Sequence, residues 1–554
     1  MFADATQPYG VTRRFVPRPR RRRHDRGRHC RRTTPATLLP AAVAALSVVL
    51  AATPAYAGSQ QLPSPAVDTP ARALARTENG LIEGASGAGY RVFNGVPYAA
   101  PPTGPNRWRA PQPAANWHGV REATTLPAEC AQNSIGGGGL ITGAEDCLHV
   151  NVTTPPARTG RHPVLVFLHG GAFTVGSANQ YDPHRLAADG HLVVVTVNYR
   201  LGVFGYFGLP GLPGSGTFGL QDQQAALRWV HRNIAAFGGD PRNVTLAGES
   251  SGGMSVCAQL TAPSAAGLFG KAIIQSGSCL TDWPDGLFPP GGEAGSQFSS
   301  LAAVQSQGAQ LQDRLGCATV ACLRAASYTD LLHQTRGAGL AAFATPAYGS
   351  PLLPSRPADA LRAGRYQHMP VLEGGNLDEH RAFLGFTELY PVPKPYTPDD
   401  YRAALRTAFG DRAAQVEARY PIAAWGTPGL AWAAVATDRI WACPTLEQTR
   451  LLAKQNRVYG YEYAERDGPV LDPRYSWGAA HGLELAYLFD MDVLTDQTKP
   501  ELRSRFVTAW SRFASTGTPG WPRMPYVRAF ADNRSGNVDL AAEHQCGFWS
   551  SVAR

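Results

Sequence analysis

Apolar residues in this chain cluster in short, near-continuous runs. The clearest are 164–168 (VLVFL), 192–197 (LVVVTV), 244–247 (VTLA) and 271–275 (KAIIQ). They are β-branched and do not alternate with polar residues, the pattern of strands covered on both faces. Between them, 221–237 has helical spacing: Ala225, Ala226, Trp229, Val230, Ile234 and Phe237 share one broad face. Strand and helix in alternation predict an α/β sheet. Residues 286–365 are rich in Gly, Ala and Pro with helical pieces and are expected to form excursions over that sheet. Residues 58–70 read as a flexible, Pro-rich linker.

The 554 residues are 44% hydrophobic, enough for a large core and too apolar for disorder. The formal charge of +9 says little about the body of the protein. Eleven of the 51 Lys and Arg and two of the 42 Asp and Glu fall in 1–57, so that segment carries the whole excess and the rest is balanced. A neutral body offers no electrostatic footprint for nucleic acid. Segment 1–57 reads as an export signal. Arg13 to Arg32 form a basic region, 38–52 is apolar apart from Pro40 and Ser47, and Ala55-Tyr56-Ala57 is a small-x-small cleavage site. The apolar run is short of the roughly 20 residues a spanning helix needs, so no stable membrane anchor is expected after cleavage at Ala57. The pairs Arg13-Arg14 and Arg31-Arg32 leave a twin-arginine route open, and a start near Val11 is also open.

There are nine cysteines, and Cys30 lies in the leader, which leaves an even number as expected where disulfides persist. Spacing suggests the local pairs Cys130–Cys147 and Cys317–Cys322. No Cys or His cluster has zinc-ligand spacing, and no metal or cofactor is implied. The glycine run 136–139 lacks the Lys-Ser/Thr of a phosphate loop and is read as loop only.

The strongest chemical signal is Gly248-Glu249-Ser250-Ser251-Gly252, a G-x-S-x-G between the apolar run 244–247 and the helix-like stretch 254–260. A tight strand-to-helix turn lifts a serine hydroxyl to the carboxyl edge of a sheet, where a helix N-terminus favours negative charge. Ser250 is therefore the candidate nucleophile; Ser251 fails the register because residue 249 is not glycine. Glu249 is read either as tuning the field of the pocket or as a buried structural acid. Directly after the run 164–168 comes His169-Gly170-Gly171-Ala172-Phe173. Glycines let backbone N–H groups approach a developing oxyanion. Gly170, Gly171 and the Ser251 N–H are the candidate donors.

Together with the segments NGVPYA (94–99), EDCLHVNV (145–152), NYRLGVFG (198–205), GLQDQ (219–223) and FGGDPRNVTLAGES (237–250), these motifs resemble the type-B carboxylesterase/lipase family, which includes cholinesterases. The resemblance spans nearly all of 71–554 and implies one catalytic domain there. Its fold would be the α/β-hydrolase fold, a large mostly parallel central sheet flanked by helices, with helical excursions over the active site. That family uses Glu as triad acid in a G-x-N-x-D-E-G pattern. Gly375-Asn376-Leu377-Asp378-Glu379 matches and implies Glu379, at the end of a short strand 371–373; on composition alone Asp378 competes. His380 stands where the pattern carries glycine and is read as a surface or gorge-lining side chain, not as the base.

The base follows the acid in this fold, which leaves His481 and His544. His481, in 477–484 (WGAAHGLE), matches the family's H-G-x-E, whereas His544 beside Cys546 is read as structural. The resemblance also implies that Cys130–Cys147 and Cys317–Cys322 are the family's first two bridges and Cys443–Cys546 its third. A bridge between Cys257 and Cys279 is left open. The implied activity is hydrolysis of a small-molecule carboxylic ester through an acyl-enzyme. The loop 130–147 has no aromatic residue, which disfavours choline esters, since a quaternary ammonium is held by cation–π contact. Trp283 and Phe343 are candidate liners of an acyl pocket. Two alternatives are carried: a lipase acting on longer-chain acylglycerols, and a non-catalytic cholinesterase-like adhesion protein, which would lack triad residues that this chain keeps.

Overall fold

The computed structural model describes residues 72–133, 140–156, 160–288, 292–335, 343–390 and 392–552. They belong to the unit Pro40–Arg554. The leader 1–57, the linker 58–70 and the glycine loop 136–139 lie outside the described residues.

The apolar runs form the middle of a twelve-stranded sheet. Its strands are β1 (Ala73–Thr77), β2 (Gly80–Gly87), β3 (Tyr90–Pro97), β4 (Val120–Glu122), β5 (His149–Thr154), β6 (His162–Leu168), β7 (Val193–Val197), β8 (Gly239–Glu249), β9 (Lys271–Gln275), β10 (Val371–Asn376), β11 (Val458–Tyr463) and β12 (Val527–Phe530). The spatial order is β1-β2-β3-β5-β7-β6-β8-β9-β10-β11-β12, with β4 paired to β2. From β7 to β12 every pairing is parallel. The first strands run antiparallel, and β1 alternates buried and exposed positions as a half-covered edge does. β7 and β9 are buried at every position, which accounts for their unbroken apolar sequences.

The helical run 221–237 lies within α1 (Phe218–Asn233) and a following 3-10 turn, Ile234–Phe237. The stretch 254–260 lies in α2 (Ser251–Thr261), which leaves β8 after a single residue. The excursion between β9 and β10 contains helices Leu301–Leu315, Val320–Ala325, Tyr328–Thr335 and Pro357–Arg362. Farther along, helix α3 (Arg381–Leu389) follows β10. A helix Pro428–Ala436 then passes through a π-helical segment, Thr437–Ala442, into α4 (Cys443–Leu452). A short α5 (Cys546–Val552) ends the described chain.

Four disulfides are present: Cys130–Cys147, Cys257–Cys279, Cys317–Cys322 and Cys443–Cys546. The one left open thus joins α2 to the segment after β9. Among the described residues no helix is long and apolar enough to cross a membrane, and no group of His, Cys, Asp and Glu could hold a metal ion.

Parallel pairing brings four strand ends to one edge. Gly248 of β8 is opposite Leu168 of β6, Glu249 is opposite Gln275 of β9, and Gln275 is opposite Gly374 of β10. The loops that follow β6, β8 and β10 carry the glycine pair, the serine and the acid. This is the edge of an open α/β sheet at which ligands bind.

Candidate active site

Ser250 alone connects β8 to α2, with φ 56° and ψ −124°. A side chain rarely takes this conformation; it persists because packing on both sides dictates it. The Ser250 N–H donates to the Gln275 carbonyl at 2.9 Å, which ties the turn to β9. Close packing demands the flanking glycine: a Cβ on Gly252 would lie 2.0 Å from the Leu168 carbonyl oxygen. Gly170 approaches from the other side, where a Cβ would lie 2.7 Å from Glu249 Oε2 and 3.0 Å from Ser250 Cβ. Gly171 takes φ +109°, and the following Thr174 and Val175 N–H groups both donate to its carbonyl. Ser251 opens α2, so its N–H belongs to the exposed donor set of a helix N-terminus.

The two carboxylates after β10 separate cleanly. Glu379 Oε2 meets His481 Nδ1 at 2.5 Å, and Glu379 Oε1 accepts the Asn376 N–H at 2.8 Å. The backbone adds a third link, from the His481 N–H to the Glu379 carbonyl at 3.3 Å. Asp378 turns the other way. It is clamped by Arg466 at 2.8 and 2.9 Å and by Arg381 at 2.9 Å, and it accepts the Ala479 N–H at 3.1 Å. Asp378 thus ties the loop of His481 to the loop of Glu379.

His481 is buried, and its Nε2 lies 3.1 Å from Glu249 Oε1, out of line for a hydrogen bond. Among the described residues the Ser250 hydroxyl and His481 Nε2 are not hydrogen-bonded to one another; such bonds often tighten only once substrate is bound. Burial lowers the His481 pKa, but the Glu249 and Glu379 carboxylates outweigh it and raise it to about 9. Burial pushes the Glu249 carboxyl up, to about 8, against the pull of His481. An ordinary histidine loses its proton at roughly pH 6–7; these carboxylates hold the His481 imidazolium to higher pH.

A polar layer beneath the site was not legible in the sequence. Asn376 Nδ2 donates to the Ala480 carbonyl at 2.8 Å and to Glu484 Oε2 at 2.6 Å, and Gln275 Nε2 donates to Glu484 Oε1 at 3.1 Å. Glu484 is the last residue of the H-G-x-E match, and that motif was the only signal for it.

Two expectations are revised or divided. His380 is not a surface residue but fully buried. Trp283 packs on Phe288, which in turn packs on Phe383 and Trp441, and both of these rings flank His481. Phe343 instead packs on Phe207, against which Trp108 stacks. His544 pairs with Asp438 at 2.6 Å and Glu462 at 2.8 Å, not with Glu379.

Known proteins carry the same sequence plan. Residues 71–547 match the carboxylesterase family. The chain belongs to that family. It is 34% identical to para-nitrobenzyl esterase of Bacillus subtilis (strain 168), covering 81% of this chain and 92% of that protein. It is 37% identical to liver carboxylesterase 1 of Oryctolagus cuniculus, covering 82% and 86%. It is also 30% identical to neuroligin-2 of Mus musculus, covering 78% of this chain and 58% of that one. The family makes this protein a carboxylic-ester hydrolase with the α/β-hydrolase fold, and the mostly parallel sheet agrees with it. The four disulfides are consistent with an extracellular carboxylesterase.

Proposed function

We propose that this carboxylesterase is exported, with its leader removed after Ala57, and hydrolyses neutral esters of short or medium acyl chain through an acyl-enzyme on Ser250. The observation that carries the reading is the buried 2.5 Å hydrogen bond between Glu379 and His481, whose ring edge reaches the Glu249–Ser250 turn. His481 Nε2 takes the Ser250 hydroxyl proton as Oγ attacks the ester carbonyl. Glu379 holds the ring and its charged form. The N–H groups of Gly170, Gly171 and Ser251 stabilise the oxyanion. As the C–O bond to the alcohol breaks, His481 returns the proton to the leaving oxygen. Water then attacks the acyl-enzyme by the same route and frees the acid and Ser250.

Para-nitrobenzyl and p-nitrophenyl esters are suitable first substrates, given the named activity of the Bacillus subtilis relative. Ser250→Ala is expected to lower kcat by about 10⁴-fold or more with an unchanged thermal melt, and to abolish labelling by a fluorophosphonate. Labelling that survives in Ser250→Ala would place the nucleophile elsewhere. A wild type that neither labels nor turns over any ester would favour a binding protein. A rate that climbs with chain length only above the solubility limit would favour a lipase. N-terminal sequencing of the protein recovered from culture medium checks the cleavage site.

A further inference from the structure

His380 directly follows Glu379, yet none of the steps above uses it. It is fully buried, and its backbone N–H donates to Thr437 Oγ1 at 3.0 Å. Its ring packs on Phe288 (5.5 Å between centroids) and Phe383 (5.2 Å). The Trp441 indole N–H points to His380 Nδ1 at 3.4 Å. An indole nitrogen can only donate, so Nδ1 is the acceptor and the ring proton sits on Nε2. Burial, helped by the nearby charge of His481, pushes the His380 pKa down to about 3, so the ring stays a neutral donor across the working pH range.

This Nε2–H has no hydrogen-bond partner among the described residues. Buried donors left unpaired are rare and costly, and each calls for an explanation. The location supplies one. His481 rests on the same two rings, Phe383 at 5.1 Å and Trp441 at 4.6 Å, and those rings stack on each other. Two imidazoles therefore share one aromatic box. The Nε2 of His481 has to reach the ester and is just as enclosed, so enclosure does not bar a ligand from this box. The rings packed on His380 are those of Phe288 and Phe383, and Trp441 offers it only a donor, so a bound molecule reaching this box can supply the acceptor that these neighbours do not.

We propose that His380 is a specificity-determining residue whose Nε2–H donates a hydrogen bond to an ether, hydroxyl or carbonyl oxygen carried by the ester close to its scissile bond, so that oxygen-substituted esters are turned over in preference to their hydrocarbon isosteres. A hydrocarbon chain in the same place leaves the donor unpaired, the situation in which a polar site discriminates most strongly. The inference rests on the assignment of Ser250 and His481.

Two isosteric pairs test it and locate the oxygen. On the acyl side these are p-nitrophenyl methoxyacetate and p-nitrophenyl butyrate; on the alcohol side, 2-methoxyethyl acetate and butyl acetate. Each kcat/KM is divided by the rate of hydroxide-catalysed hydrolysis of the same ester, which removes intrinsic reactivity. In one pair the wild type is expected to favour the oxygenated member by about tenfold, the size of one well-made hydrogen bond. His380→Phe fills the box without a donor and is expected to bring that ratio to about one. His380→Gln places an N–H at a similar reach and is expected to restore part of it. The ratio is internal to each variant, so a partly misfolded fraction cancels. Equal ratios in wild type and His380→Phe for both pairs would overturn the inference while leaving the hydrolytic reading intact. Absence of turnover in the wild type would instead count against that reading.

Discussion

Ser250 is held in a backbone conformation that costs a side-chain-bearing residue about 1–3 kcal/mol. The hydrogen bond to Gln275 and the closeness of Gly170 and Gly252 hold it there. Glu249, its neighbour, looks like a structural acid by burial but has both carboxylate oxygens on the His481 side or against Gly170, with no hydrogen bond of their own. Its effect on His481 is therefore electrostatic. The proposed mechanism needs the neutral form of His481 as base, and its raised pKa means that this form accumulates as pH rises towards about 9. Glu249→Gln removes one of the charges that favour the imidazolium. The acid limb of the kcat/KM–pH profile is then expected to move down by about one pH unit. An unmoved limb would show that Glu249 acts through packing alone. At this scale the candidates Ser250, Glu379 and His481 could be picked out because each sits in a dense local motif, and the structure pairs Glu379 with His481. The choice between Asp378 and Glu379 came from a family pattern; its physical reason, the two arginines around Asp378, lies 3 and 88 residues away. The burial of His380 was illegible for the same reason: Trp441 and Thr437, which enclose it, lie some sixty residues on.

Among the elements, the π-helical segment Thr437–Ala442 links several parts of the protein. Thr437 accepts the His380 N–H, Arg439 pairs with Asp282 beside Trp283, and Trp441 covers His481. Insertions of this kind recur at functional sites. Asp438 anchors the segment from behind through His544, which bridges it to Glu462 of β11. Burial works against the charged form of His544, but the two carboxylates raise its pKa well above the ordinary value. Its stabilising contribution is thus complete below about pH 6.5 and fades only as pH rises through the raised folded-state value. His544→Ala leaves two buried acids facing each other and is expected to lower unfolding free energy by about 3–5 kcal/mol in a denaturant titration near neutral pH. A loss within experimental error would mean that the acids take up protons and need no partner. The strands β6 to β9 could be read from unbroken apolar runs. β11 (VYGYEY) could not, because its glycine and glutamate break the run and Glu462 is tolerated only with His544 beside it.

For the molecule as a whole, the disulfides act over very different spans. Cys443–Cys546 closes 103 residues and fastens α4 to α5, whereas Cys257–Cys279 closes 22. Chain-entropy arguments give about 4.7 and about 3.4 kcal/mol for loops of these lengths. Replacing both cysteines of the long bridge by Ala is therefore expected to destabilise more than the same change at the short one, as calorimetry on the two double variants would measure. The opposite order would point to Cys257–Cys279 as a local brace of the nucleophile helix. The charge excess lies in residues 1–57 and leaves the remainder electrically balanced, so that segment accounts for the high isoelectric point.

One consequence follows from the position of β9. It separates β8, which ends at Glu249 just before Ser250, from β10, which leads to Glu379. Two strand spacings, about 10 Å, set the gauge between Ser250 and Glu379. The long excursion between β9 and β10 leaves and re-enters the sheet without altering that gauge. Its length is thermodynamically cheap, because closure entropy grows only with the logarithm of loop size. Descent with modification can therefore rewrite the roof of the site, residue by residue or by whole insertions, while the chassis beneath keeps the same wheelbase.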